Sequence, residues 1–280
     1  NGAFGGFVGL GNIDAGGGDV DLWTAGGEYA AFYDNSTFVA TLAYATVDDV
    51  DVDIWGLSGE YRIFSTNNLR FDLVGDPRPV VVPRAAYRIG TSDEGRSWYR
   101  GADAGAEWRF ASRFSTSMAL NYDQVTNDQQ WIANYGAFLS DTTHFTFARL
   151  HQHILGITMR ANWTATPTLS FQLYAQPFVT TGQYSNWREL NDARASEYDD
   201  RFTTFRTSAP ANFNVKQFNS NAVLRWEYRP ASAVFLVWQQ GRAQDALNPG
   251  VFVPGRDVRD LFGARPLNTL LLKISYWFNP

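Results

Sequence analysis

Residues 268–278 read NTLLLKISYWF. Successive side chains of a strand point to opposite faces, so Leu270, Leu272, Ile274, Tyr276 and Phe278 share one face while Lys273 and Ser275 take the other. A strand this apolar on one side invites aggregation unless both its edges are paired and its greasy face meets lipid or a second sheet. A strand that closes a membrane barrel satisfies both conditions.

The same two-residue period recurs upstream and sorts the chain into two sets. Trp23, Tyr29, Trp55, Tyr61, Trp108, Trp163, Phe171, Trp226, Tyr228, Leu272, Tyr276 and Phe278 fall on apolar faces and are expected to meet lipid. Glu28, Glu60, Arg62, Arg70, Asp72, Glu107, Arg109, Asp123, Arg160, Arg225, Glu227, Arg229 and Lys273 fall on the opposite faces and are expected to line a lumen. Aromatics near both ends of an apolar face form the girdle of a strand that crosses a bilayer.

Composition agrees. Aromatic residues make up 16% of the 280, with ten tryptophans and 24 glycines, which favours a β-rich, turn-rich chain with an interfacial aromatic belt. No run of about 18 apolar residues occurs, so no transmembrane helix is expected, and a barrel needs none because its strands alternate. The absence of cysteine removes disulfides, thiolate chemistry and cysteine zinc sites together. A net charge of -5 without any basic cluster argues against nucleic acid as a partner. Asn1 opens without an apolar signal segment, so a chain processed or prepared without its leader is expected.

About twelve strands are expected, with short turns near Asp34, Ser65, Ala111, Thr164 and Pro230 and longer connections between them. One of the twelve is placed at 55–63. The prolines of PRPVVVPR point to a long loop over 74–100. Thr181 to Asn212 and Arg242 to Leu267 read as further long loops. Short turns on one rim and long loops on the other is the asymmetry of an outer-membrane barrel, with periplasmic termini and extracellular loops.

Three stretches carry a family resemblance: HQHILGITMRANWTATPTLSFQLYAQPFVTTGQYSNWREL, FNSNAVLRWEYRPASAVFLVWQQGR and LLLKISYWFNP. From about Val74 onward the chain resembles the barrel-forming C-terminal region of an uncharacterised bacterial family in which a carbohydrate-binding-like module precedes the barrel. Residues 1–73 resemble, more weakly, the hairpins of a small porin or OmpA-type barrel. The resemblance implies a bacterial outer-membrane location and a truncated or recombined barrel, with a seam between Leu73 and Pro83 inside one domain of residues 1–280. Asn279 and Pro280 after Phe278 depart from an assembly signal that ends on an aromatic.

Each candidate site for chemistry also has a plainer reading. Asp48, Asp49, Asp51 and Asp53 lack the glycine and glutamate spacing of a calcium loop and read as a solvated tip. His151 and His153 share a strand face and, with His144 near, offer imidazoles without a third ligand. Glu107 and Asp123 suit lumenal ion pairs better than a hydrolytic pair. Trp98, Tyr99, Trp131, Tyr135, Tyr184 and Trp187 offer loop aromatics for stacking on sugars. The expectation is a monomeric, all-β, antiparallel up-and-down transmembrane barrel without a cofactor. It acts as a narrow pore or a passive scaffold, with lipid or detergent as its partner and small ions or solutes inside. The rivals are a barrel enzyme acting on lipid or glycan, and a soluble carbohydrate-binding β-sandwich.

Overall fold

The structure, a computed structural model, describes residues 2–14, 19–33, 36–47, 50–54, 57–61, 66–74, 78–136, 143–206 and 212–278, with side-chain detail from residue 78 onward. Strands β1 (Gly2–Asp14), β2 (Asp19–Tyr33) and β3 (Ser36–Val47) pair in antiparallel succession. The next two, β4 (Val50–Ile54) and β5 (Leu57–Tyr61), form a separate two-stranded hairpin. Beyond it β6 (Thr66–Val74) returns to pair with β3, and β7 (Val81–Ser92) and β8 (Ser97–Ala111) follow. The longest strands come next: β9 (Phe114–Tyr135), β10 (His144–Thr166) and β11 (Leu169–Leu190). A single-turn helix α1 (Tyr198–Arg201) leads to the short β12 (Phe202–Thr204), which pairs beside β11. The chain ends with β13 (Phe213–Arg229), β14 (Ser232–Gln244), helix α2 (Pro254–Gly263) and β15 (Leu267–Ser275).

All but the β4–β5 hairpin belong to one thirteen-stranded sheet, whose path runs β1-β2-β3-β6-β7-β8-β9-β10-β11-β13-β14-β15. Every pairing in it is antiparallel. It is therefore an up-and-down, all-β fold, and among the described residues its edges are β1 and β15. Connections at 112–113, 167–168 and 230–231 are two-residue turns on one rim, and the opposite rim carries the β4–β5 hairpin, α1, β12 and α2.

Three expectations need correction. The segment at 55–63 is no wall strand: β5 pairs with β4 off the main sheet, so Glu60 and Tyr61 lie outside the wall, while Trp55 and Arg62 fall outside the described residues. The turn expected at Ser65 lies outside the described residues. Residues 81–92, expected as loop, form β7, paired with β6 and β8. Among the described residues the ladder with β6 stops at Val74↔Arg84, so Pro83 has a strand neighbour on the β8 side alone, opposite Ala106, a position that tolerates a ring lacking N–H. Finally, β11 runs on to Leu190 and α2 interrupts the last loop. The sheet passes unbroken through the seam region, since β6 joins β3 to β7.

Strands of 22 or 23 residues run ~75 Å, or roughly 55 Å in height at barrel-like tilt, against an apolar band of about 25 Å on a membrane barrel. Their far halves therefore extend past the height such a band would cover, and side-chain networks hold them together. Asp128, fully buried, accepts hydrogen bonds from Arg149 (2.6 Å) and Arg188 (3.3 Å) and from the Tyr198 hydroxyl, tying β9, β10, β11 and α1 together. Burial pushes the Arg188 guanidinium below its ordinary pKa, and the carboxylate of Asp128 opposes the shift.

Candidate functional site

The pairing register fixes which residues share a face. Residues directly opposite one another across an antiparallel ladder point the same way, and the partner sets can be followed strand to strand. Position 28 is opposite Thr41, Thr41 opposite Arg70, Arg70 opposite Arg88, Arg88 opposite Gly101, and Gly101 opposite Asp123. The next row joins positions 72, Ala86, Asp103 and Asn121. A third joins Arg84, Gly105 and Ala119, and a fourth joins Glu107, Ser117, Arg160, Tyr174 and Asn221. Nearer the short-turn rim, Arg109 stands opposite Ser115, and Arg225, Phe235 and Lys273 form a last row. Glu28, Arg70, Asp72, Glu107, Arg109, Asp123, Arg160, Arg225 and Lys273 thus occupy register positions of one face.

The other face carries the aromatic and aliphatic set. Trp163, Phe171, Leu224, Leu236 and Leu272 form one row, and Trp108, Ala161, Leu173, Trp238 and Leu270 run in a parallel one. Trp163, Trp226, Trp238 and Leu272 are 50%, 52%, 45% and 65% exposed, far from what a water-excluding core would impose. The positions of Trp23 and Tyr29 continue this face through β2 and β3. At the short-turn rim the sorting fails: a bulge follows Glu227, β15 ends at Ser275, and Arg229 donates to the Tyr276 hydroxyl (2.9 Å) across the assumed divide. Tyr276 and Phe278 lie past the strand, and the Tyr228 hydroxyl reaches the Ser275 carbonyl at 3.4 Å.

The charged face is concave. Side chains from β7, β8, β9 and β10 converge on a cavity of about 880 Å³ whose walls include Arg84, Arg88, Asp103, Glu107, Asp123 and Arg160. Small residues on the intervening strands keep it open. Gly105 is one where any Cβ would meet the Met118 carbonyl oxygen at 2.7 Å and Ala119 at 3.1 Å. Arg88 bridges two carboxylates, Asp103 at 3.0 Å and Asp123 at 3.1 Å, and Glu107 pairs with Arg109 at 3.4 Å. Arg225 pairs with Glu227 at 2.7 Å nearer the rim. Glu107 and Asp123 stand six residues apart along the strands, ~20 Å, well beyond the spacing of a hydrolytic carboxylate pair.

Sequence reasoning missed Arg84 and Arg88 as cavity residues; it read Asp103 as facing inward beside Glu107 and Arg109 but left it out of the lumen-lining set. The first two sit on β7, hidden behind the loop reading of the prolines. Asp103 alternates with Glu107 on β8 and was legible from that period alone.

The opposite face changes character in its projecting half. There the segment 245–266 folds back over β14, β13, β11, β10 and β9 on the apolar side. Leu261 of α2 is fully buried and joins Phe218, Ala175 and Met159. Phe252 stacks on His153 (4.9 Å between centroids, 4° between planes) and on Tyr122 (5.8 Å). Burial, followed by Arg100 and His151, pulls the His153 pKa below its ordinary value, which favours the neutral form of the ring under Phe252. His151 contacts the Thr126 hydroxyl at 2.9 Å, and His144 pairs with Glu189. The histidines serve three separate contacts, and among the described residues no group of three metal-ligating side chains converges. The aromatics expected on loops lie instead on strands β8, β9 and β11, because those strands run on past the expected loop starts: Tyr184 packs against Trp187 (6.1 Å) and Tyr135 against Phe205 (5.5 Å), while Trp131 is 46% exposed.

No curated protein matches the chain. A solved structure described as the NanC porin in a rhombohedral crystal form is similar over 99% of this chain and 99% of its own, at 12% identity and a TM-score of 0.27. A family model described as a domain of unknown function, DUF5916, matches residues 67–279, from within β6 to the last residues after β15. With that match spanning most of its length, the chain belongs to the DUF5916 family.

Proposed function

We propose that the chain is a bacterial outer-membrane β-barrel, with β15 and β1 pairing to close the sheet, its apolar face against lipid and its charged face lining a narrow passage for small ions or solutes. The observation that carries this reading is the division of one continuous register into two chemistries. Arginines and carboxylates converge on the concave side, and exposed tryptophans and leucines cover the convex side. An open edge such as β15, exposed along its whole length, leaves unpaired N–H and C=O groups that hydrocarbon does not tolerate, and closure removes them. Mixed charge in a narrow lumen gives a constricted, charge-selective passage rather than a wide aqueous one. The same wall serves as a passive scaffold when the passage is shut, and neither role requires a cofactor, a nucleic acid or a second copy.

Planar-bilayer recording tests the reading. The purified barrel is expected to give single-channel steps, and Arg160→Glu is expected to shift the anion-to-cation permeability ratio toward cations, with Arg225→Glu in the same direction but smaller because Glu227 already partners it. Stable insertion without conductance would retire the passage, and a chain that stays monomeric in water without detergent would retire the membrane altogether.

A further inference from the structure

Helix α2 lies at a defined height on the convex wall. On β14, Arg242 stands ten residues beyond Ser232 at the short-turn rim, ~34 Å along the strand or roughly 25 Å in height at barrel-like tilt, which is the height of a membrane barrel's apolar band. Arg242 holds the C-terminal end of α2 at that level. It donates to the Ala264 carbonyl at 3.0 Å and to that of Phe262, and the Phe262 ring packs on Phe218, the residue opposite Arg242, with 5.2 Å between centroids. Just below, Trp238 and Leu270 stand opposite each other and are exposed, as is Leu267 at the start of β15. The helix thus sits where the bare apolar surface of the wall ends.

Its two sides differ in chemistry. Asp257 and Leu261, four residues apart, face the wall and are fully buried. Arg259 and Phe262, three apart and so neighbours on the helix surface, are exposed, and so is Arg265 just past the helix end. Arg256 is taken by Asp257 at 3.0 Å, but among the described residues neither Arg259 nor Arg265 has an ion-pair or hydrogen-bond partner. Asp260, beside Arg259 in the chain, turns one carboxylate oxygen into the protein instead of pairing with it. Cations and an exposed aromatic at the edge of a hydrocarbon layer are what a helix lying in a membrane interface carries, its apolar side chains entering the acyl boundary and its cations meeting lipid phosphate. The guanidinium fork matches phosphate oxygens in particular. We infer that the outward side of α2 is a docking surface for phosphate-bearing lipid in the leaflet on the long-connection side, with Arg259 and Arg265 taking phosphate while acyl chains run down the wall past Phe262, Leu267 and Leu270. This rests on the reading of the convex face as the lipid-facing side of a barrel.

The test attaches a bimane fluorophore to Gly263→Cys, where an added Cβ meets nothing within 4 Å, and in a second protein to Leu272→Cys, lower on the wall. Each is reconstituted in phosphatidylcholine vesicles that carry either brominated phosphatidic acid or brominated phosphatidylcholine as quencher. At 263 the phosphatidic acid is expected to compete about tenfold or more better than phosphatidylcholine, and at 272 the two should quench alike. Arg259→Gln and Arg265→Gln should each lower the preference at 263 about fivefold, the effect of one cationic side chain at an anionic lipid surface. Arg259→Lys and Arg265→Lys should keep most of it, and heat-modifiable gel migration checks that each variant is folded. Equal quenching by the two lipids at 263, with normal quenching at 272, overturns the docking surface and leaves the membrane barrel standing. A preference unchanged in the folded double glutamine variant overturns it as well. Loss of the preference in inorganic phosphate, but not in chloride of equal ionic strength, marks a site for free anions and overturns the lipid assignment. Absence of quenching at both positions overturns the membrane reading and the docking surface with it.

Discussion

Asp257→Ala is expected to release the segment 245–266 from the outer wall. Asp257 is fully buried on α2, where it accepts hydrogen bonds from the Val253 amide (2.7 Å) and from the Asn214 side chain (3.2 Å), with the fully buried Lys216 ammonium 3.9 Å away. Removing one member of such a cluster strands the other charge in a dry site, a cost of ~3–5 kcal/mol. The Lys216 ammonium also donates to the Leu247 carbonyl at 3.2 Å, a contact too weak to stand in for the carboxylate. That loss exceeds what one buried leucine, Leu261, contributes by its area, about 1.5–3 kcal/mol. The helix therefore leaves the wall and Lys216 finds water. The measurement is limited proteolysis: cleavage within 245–266 should accelerate about a hundredfold or more, as the exponent of that free energy requires when opening is fast relative to cleavage. Replacing both buried partners, Lys216→Met with Asp257→Leu, should restore most of the protection because no fully buried charge is left unpaired; Arg256, which pairs with Asp257 at 3.0 Å, is part-exposed and keeps its hydrogen bond to the Val251 carbonyl.

Leu224→Arg carries the second large effect. Leu224 lies in the row of Trp163, Phe171, Leu236 and Leu272 on the convex face, and an arginine there sits within the proposed hydrocarbon band. Charged substitutions at the midplane of a membrane barrel cost ~2–4 kcal/mol. The same change at Gln172, one residue along from Phe171 on β11 and therefore on the concave face, meets water and should cost well under 1 kcal/mol, as surface changes do. Urea unfolding from lipid vesicles compares the two. A soluble sandwich predicts a different contrast, with Leu224→Arg far more damaging in aqueous buffer and insensitive to added lipid.

The period of two was enough to sort most wall residues, because one face of every strand has to be apolar and a slip of one residue would invert it. It worked from Trp108 to Leu272, where strands carry full alternation. It failed where the chain's own segments replace the solvent. On β13 the apolar face continues upward as Phe218, Lys216 and Asn214, and these are buried under α2, whose register against the wall no local pattern encodes. Prolines misled at β7, since a ring lacking N–H is harmless where only one neighbour pairs. The β11 proline, Pro177, sits in a lapse of the β10 ladder between Gly156↔Phe178 and Met159↔Ala175, while pairing to β13 continues through it. The reading of 55–63 as wall strand failed for the converse reason. Its alternation is real, but β5 satisfies its edge on β4, and β6 takes the place beside β3.

The cavity was half legible. Glu107, Asp123 and Arg160 followed from alternation, but their grouping with Arg84, Arg88 and Asp103 depends on which strands are neighbours, and that depended on β7.

The central claim is that lipid covers the face bearing Trp226 and Leu224 and water the face bearing Arg225. The native chain has no cysteine, so single cysteines can be placed in turn from Val223 to Glu227 and spin-labelled without background. In vesicles, collision rates with oxygen, which dissolves in hydrocarbon, and with a water-soluble nickel chelate are read at each position. The account predicts oxygen maxima at 224 and 226 and chelate maxima at 223, 225 and 227. Maxima in the reverse order, or high chelate access at all five positions, would contradict it.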